Sequence, residues 1–381
     1  MNFRWIIITG AYPPDQGGLA DYTAILAKEL AAQGDRVTVV TGPLDLHQIP
    51  ILDGVQVLTL SDHFGRRGLA QLDQYLATIH QPHRLLVQYV PQAFGPRRAS
   101  RFKGLPLTFA WWLRRSPRAP IWTMFHEAKV LAPPGSGLAL QALSCVTGRM
   151  LGFAARASQR IFVASPAWEP HIARHLRGRQ SVEYLPIPSN VATAVNPAAA
   201  ARTRAFLLNG HARAVIGHFG TFSSEITDLM EPLLRRSLFE HPERQILLVG
   251  DGSTEFAARL QPAASGRITA TGRLAADSVA QHLSACDLML QPFPDGASTR
   301  RGSLMAGLAL GVPVVSNLGS ASEPLWREHQ AIGLADDAES LPALVDQLLS
   351  SHDARQALGV RGRILYEGHF SLAHTLRVLR N

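Results

Sequence analysis

Residues 295–317, DGASTRRGSLMAGLALGVPVVSN, decide the fold. An irregular run holding Gly296, Ser298 and Thr299 leads into Arg300, Arg301, Gly302 and Ser303. An Ala/Leu/Gly-rich helical pattern follows over 303–310, and 311–315 (GVPVV) reads as a buried strand. A loop that opens a helix inside an α/β unit leaves free backbone N–H groups at the positive end of the helix dipole. Two adjacent guanidiniums at that point admit two readings. Either they are a solvated surface pair beside an ordinary helix start, or they are forks for the oxygens of a diphosphate.

The rest of the chain repeats this βα order. In the first half, 3–9 is an apolar strand, 10–18 (GAYPPDQGG) a turn-rich loop, and 19–33 a helix that Gly34 stops. Strands at 36–41, 55–60, 84–90, 120–125 and 160–164 alternate with helices near 69–79, 138–157 and 167–176, and a last strand ends in 185–188. A Pro-, Ser- and Ala-rich segment, 189–213, reads as a linker with a helical piece. A second series follows, with strands at 214–219, 245–249, 268–271 and 287–291 and helices at 224–238, 254–260 and 276–285. Helices at 341–349 and 354–379 close the chain. This order implies an α/β protein of two Rossmann-like, doubly wound parallel sheets, with ligands bound beyond the carboxyl ends of the strands. The expected division is 1–188, a linker at 189–213, 214–362, and a final helix at 363–381.

Composition bounds the function. With 381 residues, 46% hydrophobic and 17% charged, the chain is globular and long enough for two cores. No apolar run of spanning length is evident, and the start MNFRWIIITG lacks a cleavable secretory pattern, so a cytoplasmic protein is expected. Cys145 and Cys286 lie in apolar helical patterns and read as buried free thiols. Up to residue 190 there are 20 Lys and Arg against 11 Asp and Glu, and after it 17 against 18. Within residues 64–118 Arg66, Arg67, Arg84, Arg97, Arg98, Arg101, Lys103, Arg114, Arg115 and Arg118 face Asp73 alone. These cations are interleaved with Trp111, Trp112 and several Phe and Leu, a pattern suited to an anionic membrane surface. The alternative is a Trp pair in the core with only the arginines exposed. No nucleic-acid recognition motif is present, so no nucleic-acid partner is expected. Neither an Asp-x-Asp pair nor a His/Cys/carboxylate set at ligand spacing points to a metal.

Seven motifs in register then carry a resemblance over nearly the whole chain. YPPDQGGLADYT (12–23), His126-Glu127, LPIPSNV (185–191), VGDG (249–252), TGRL (271–274), ACDLMLQP (285–292) and ALGVPVV (309–315) resemble glycosyltransferases of family 4, which have the GT-B fold. The resemblance implies transfer of a sugar from a nucleotide diphosphate sugar to an acceptor with retention at the anomeric carbon, without a metal or bound cofactor. It further implies two domains facing across a cleft, with the last helix crossing back to the first domain. Two departures accompany the match. The family's paired glutamates fall on Ser298 and Ala306, and the phosphate-gripping Arg and Lys after the first strand of the second domain are missing from GHFGTFSSEITD (217–228). Arg300 and Arg301 fill that electrostatic vacancy.

The resemblance also assigns candidate site residues. Gly17 and Gly18 either form a turn or let a diphosphate or donor sugar approach helix amides. His126 matches the histidine that contacts the donor sugar, and Glu127 either positions a sugar hydroxyl or the acceptor or caps Lys129. By their own chemistry Thr221 and Ser223 either offer hydroxyls to phosphate oxygens or are ordinary turn residues; they, Gly252, Arg273, Leu274, Gly302 and Ser303 are the donor-side candidates, with Arg273 and Leu274 near the nucleobase. With Arg300 and Arg301 on the diphosphate, the expected co-substrates are a nucleotide sugar and a glycan acceptor. A polyprenyl-diphosphate-linked acceptor would suit a peripheral enzyme of surface polysaccharide synthesis. Two other classes share these features: a nucleotide-sugar epimerase of the same fold, and a weakly catalytic sugar-nucleotide-binding scaffold.

Overall fold

The computed structural model describes residues 2–15, 17–45, 53–95, 107–115, 119–176, 178, 180–191, 193–264 and 266–381. The chain divides into two compact units, Met1–Pro186 and Ile187–Asn381. The first holds β1 (Arg4–Thr9), α1 (Gly18–Ala32), β2 (Arg36–Thr41), β3 (Val55–Thr59), β4 (Ser61–Phe64), α2 (Arg66–Ala77) and β5 (Arg84–Tyr89). It continues with α3 (Leu107–Arg115), β6 (Ile121–Phe125), α4 (Leu138–Ala157), β7 (Arg160–Val163), α5 (Glu169–Ala173) and β8 (Val182–Tyr184). Seven parallel strands form its sheet in the order β3-β2-β1-β5-β6-β7-β8. The central strands are buried on both faces, which is why RWIIIT and IWTMF read as continuous apolar runs. Asp35 ties two strand starts together, accepting from Phe3 N at 2.9 Å and Trp5 Nε1 at 3.0 Å. Gly34, at φ +86°, ends α1 in the left-handed region where a side chain would be strained.

The second unit opens with α6 (Pro197–Leu208), capped by Asn196 and packed on the second sheet, followed by β9 (Ala214–Phe219), α7 (Ser224–Glu240), β10 (Arg244–Val249) and α8 (Ser253–Ala264). Next come β11 (Ile268–Ala270), α9 (Ala276–Ser284), β12 (Leu288–Leu290), α10 (Gly302–Leu310), β13 (Val314–Asn317), α11 (Leu325–His329) and β14 (Gly333–Ala335). The chain closes with α12 (Leu341–Ser350), α13 (His352–Leu365) and α14 (Leu372–Arg380). The sheet is again wholly parallel, β11-β10-β9-β12-β13-β14. Strand order reverses between β9 and β12 here, and between β1 and β5 in the first unit. At such switch points the connections leave to opposite faces and open a crevice at the carboxyl ends.

Several expectations are corrected. The strand expected at 311–315 is β13, because Gly311, left-handed at φ +69°, still closes α10 and Pro313 has no N–H to pair. The helix expected at 354–379 is α13 and α14 separated by a wide turn at Tyr366–Phe370, with Ser371 Oγ accepting from His374 N at 3.2 Å to start the second helix. Cys286 is buried, but Cys145 is exposed on α4. That helix is itself long and apolar enough to cross a membrane by length and composition, although only a third of its apolar window is buried. Its packing on α3 and β6 occupies mainly its second half, from Thr147 onward.

The tryptophan pair divides. Trp112 is 3% exposed, donates to Asp73 Oδ1 at 2.7 Å and joins Phe64, Phe94 and Phe109 in the core, whereas Trp111 is 51% exposed under the Arg115 guanidinium. Arg84 is drawn out of the basic field, stacked over Phe3 at 4.1 Å and Trp122 at 4.5 Å. Arg97, Arg98, Arg101, Lys103 and Arg118 lie outside the described residues.

Candidate functional site

In the second unit three loops at the carboxyl ends of β9, β10 and β11 are laced together by backbone. Gly220 N donates to Val249 O at 3.1 Å, Gly250 N to Gly272 O at 3.0 Å, and Gly272 N to the buried Ser253 Oγ at 2.9 Å. Gly250, at φ +128°, has no alternative, since a Cβ there would overlap the Gly220 carbonyl oxygen. Thr221 and Ser223 follow β9 and are exposed, and Ser223 precedes α7 without a side-chain capping bond. Gly252 faces Phe222, Arg273 is exposed and pairs with Asp251 at 3.4 Å, and Leu274 packs partly onto the hydrophobic cluster that contains α10.

Across the switch point, the loop after β12 is held as a frame. Phe293 N donates to Asn317 Oδ1 and Asn317 Nδ2 to Phe293 O, both at 2.9 Å, while Ala297 N reaches Asn317 O and Ala321 N reaches Asp295 O, both at 2.8 Å. Glu323 fixes the next residue, accepting from Thr299 Oγ1 at 2.7 Å, Thr299 N at 3.1 Å and Trp326 Nε1 at 3.0 Å. Thr299 is 1% exposed, so its N–H has no water to turn to. Glu323→Ala is expected to destabilise the second unit by about 1–3 kcal/mol, the cost of orphaning such donors. Chemical denaturation followed at Trp326 measures it, and an unchanged midpoint would remove Glu323 from the frame.

The frame delivers Arg300 and Arg301 to the start of α10. Both guanidiniums converge on Asp295, Arg300 Nη2 at 3.0 Å from Oδ2 and Arg301 Nη2 on Oδ1, and Arg301 also lies over the Phe293 ring at 4.6 Å. Arg301 Nε and Ser298 Oγ are buried without partners. The first turn of α10 carries no side-chain cap, and the space around Gly302 is open to 4 Å. One carboxylate thus balances two guanidiniums beside uncapped helix amides, which leaves a net positive anchor for an anion.

A further residue of this edge escaped the sequence reading. His218, on β9, is 2% exposed, and its Nδ1–H donates to Leu290 O at 2.8 Å, leaving Nε2 as the unprotonated acceptor. A point one bond beyond Gly220 Cα lies 3.8 Å from both His218 Nε2 and Ser303 Oγ. Burial pushes the His218 pKa down to about 4. The available signal was a histidine one residue before the end of an otherwise apolar strand.

In the first unit, Gly17 and Gly18 start α1 with no side-chain cap and with nothing within 4 Å of either Cβ position. His126 follows β6. Its N–H donates to Tyr89 O at 3.0 Å, its carbonyl accepts from Trp168 Nε1 at 3.1 Å, its Nε2 lies 2.6 Å from Gln88 Oε1, and its ring packs edge-on against Tyr22 of α1 at 5.2 Å. Tyr22 thereby links His126 to the helix that Gly17 and Gly18 begin. Burial pushes the His126 pKa down to about 3, so the imidazole is neutral. Buried Tyr12 Oη and Gln88 Nε2 have no partner. Glu127 is exposed. The candidate residues therefore form two sets, one at the carboxyl edge of each sheet. Among the described residues no three His, Cys, Asp or Glu converge as metal ligands.

Residues 227–381 match a family model described as glycosyl transferase-like. No curated protein matches the chain in sequence. Among solved structures, sucrose-phosphate synthase from Thermosynechococcus elongatus is similar with a TM-score of 0.68 at 18% identity, covering 100% of this chain and 98% of its own. Anabaena HepE in complex with UDP and glucose gives 0.64 at 17% identity over 100% and 99%. WaaG, a glycosyltransferase involved in lipopolysaccharide biosynthesis, gives 0.59 at 15% identity over 95% of each chain. The fold is that of the GT-B glycosyltransferases, and the second unit is glycosyltransferase-like in sequence.

Proposed function

We propose that the protein is a retaining glycosyltransferase of the family 4 type, which moves a sugar from a nucleotide diphosphate sugar to a glycan acceptor in polysaccharide biosynthesis. The observation that carries this reading is the pair Arg300 and Arg301 at the uncapped start of α10, at the switch point of the second sheet. A departing diphosphate needs positive charge as its bond to C1 breaks, and fixed donors that meet it there are the main catalytic lever. Gly302, Ser303, Thr221 and Ser223 add N–H and O–H donors to the phosphates. The loops at Gly252 and Arg273-Leu274 receive the nucleoside. Gly17, Gly18, His126 and Glu127 attend the sugar and acceptor.

In this mechanism the C1–oxygen bond to the diphosphate breaks, the acceptor oxygen joins C1 on the same face, and its proton passes to the leaving phosphate oxygen. The protein supplies orientation and charge, with no separate base. The exposed Trp111 and Leu107, beside Arg114 and Arg115 on α3, support a peripheral place on the inner face of a membrane. WaaG's place in lipopolysaccharide biosynthesis supports a lipid-borne acceptor.

The test is a thermal-shift series with nucleotide sugars, starting with UDP-glucose because HepE is known bound to UDP and glucose. A true donor at a hundredfold excess over its Kd should stabilise by about 2.7 kcal/mol. His126→Ala should then lower turnover of the identified donor while affinity for the free nucleoside diphosphate stays within about twofold. No stabilisation by any nucleotide sugar, or equal losses for both ligands in the His126 variant, would overturn the respective assignment.

A further inference from the structure

The first unit holds a groove of about 710 Å³ that none of the candidate residues lines. It begins at Lys129, two residues beyond Glu127, and runs along α4 to the residues that follow α5. Its floor is a track of small residues on one face of the helix, Cys145, Gly148 and Gly152, and its walls carry Lys129, Arg149, Arg156, Arg174 and His175. Among the described residues no acidic side chain lines it, and none of these five cationic or basic groups has a carboxylate partner. The field they create is legible in the nearby histidines. Burial and then the charges of Arg174, Arg156 and Lys129 hold His175 below its ordinary pKa, and burial, Lys129 and Arg174 do the same to His171. His175 Nε2 is buried and unpartnered.

Beyond the Gln141 end of this groove the exposed surface of the unit carries leucines. The first half of α4, LALQALSCV, is largely unburied, with Leu138 85% exposed and Leu140 and the preceding Leu131 also outward. The buried residues of α4 begin at Thr147, and residues 138–146 are exposed or half-buried. Farther along the groove, Phe153 is flanked by the guanidiniums of Arg114 at 5.7 Å and Arg156 at 5.8 Å. Unpaired cations next to an uncovered apolar helix face complement an amphiphile whose head is a strong anion. A volume in the range of small-molecule sites accommodates more than a bare phosphate.

We propose that this groove binds the diphosphate head of a lipid, with the hydrocarbon chain laid against the exposed half of α4. Under the glycosyltransferase reading, on which this role depends, the lipid diphosphate is the carrier of the acceptor. Arg149 and Arg156, exposed and seven residues apart on one face of α4, are its principal clamps.

The test is calorimetry of the full chain with farnesyl diphosphate, inorganic pyrophosphate, farnesol and a single-stranded oligonucleotide, without any nucleotide sugar. Farnesyl diphosphate should bind about tenfold or more tightly than pyrophosphate, the gain expected from burying a few methylene groups. The double variant Arg149→Glu/Arg156→Glu should weaken both diphosphates at least about tenfold, as loss of charge-assisted contacts requires. Leu138→Ser/Leu140→Ser should weaken farnesyl diphosphate alone. UDP affinity, read in the same variants, reports on the second unit separately, so failure of the donor reading and failure of this site are distinguishable. Equal affinity for pyrophosphate and farnesyl diphosphate, equal binding of uncharged farnesol, stronger binding of the oligonucleotide, or indifference to the arginine variant would each overturn the proposal.

Discussion

Replacing Arg300 and Arg301 together by alanine is expected to weaken nucleoside diphosphate binding by about 3–6 kcal/mol, on the scale of 1.5–3 kcal/mol for each charge-assisted contact. The two losses are coupled, because both guanidiniums share the Asp295 carboxylate. Removing one leaves the other to balance Asp295, so each single variant should lose less than half the total. Arg301 should be the more sensitive, being held over Phe293 and less exposed than Arg300. Removing both leaves a bare carboxylate facing the incoming anion. Adding Asp295→Asn to the double variant should therefore recover part of the loss, which separates repulsion by Asp295 from lost attraction. Calorimetric titration with UDP decides the matter. Unchanged affinity in the double variant would return the arginine pair to the solvated surface, and absence of recovery in the triple variant would mean that Asp295 faces away from the ligand.

The alternation of strands and helices, and with it the doubly wound class, was legible because the longer strands are apolar runs of 4–6 residues bounded by glycine, proline or polar turns. What was not legible depended on chain approach rather than local pattern. β14 is three residues long, too short for any period to appear, and pairs with β13 only because β13 is already in place. Glu323 lies 24 residues from Thr299, and the two meet because Gly296 and Gly319 let their loops touch where side chains would collide. Apolar composition misled at α4, where a helix of 20 residues outruns the surface it covers, so Cys145 and Leu138 lie outside. At the site, the glycines and arginines stood out through motif and charge. His218 did not, because one histidine in a strand acquires meaning only when Leu290 fixes its tautomer and Gly220 opens the space before it.

Acid is expected to destabilise both units well above the pH at which carboxylates titrate. His126 and His218 are neutral in the folded protein because burial disfavours their charged forms, with pKa values pushed down to about 3 and about 4. In the unfolded chain both return to about 6.5. Between those values the unfolded state binds more protons than the folded one, so stability falls as pH falls. The contribution is fully present above about pH 6.5 and is lost progressively down to the folded pKa of each ring, at about 1.4 kcal/mol per pH unit per histidine. Over the window from pH 6.5 to 4 this amounts to about 3 kcal/mol in each unit, a large part of a typical domain's stability. Trp326 is the only tryptophan in the second unit, and the other five lie in the first, so fluorescence of the parent and of Trp326→Phe separates the two transitions. His218→Asn retains a donor for Leu290 O and removes the titration, so it should flatten the pH dependence of the second unit between pH 6.5 and 4.5 and leave that of the first unchanged. A denaturation midpoint independent of pH over that window, or an equal slope in the variant, would mean that His218 is solvated and charged in the folded state.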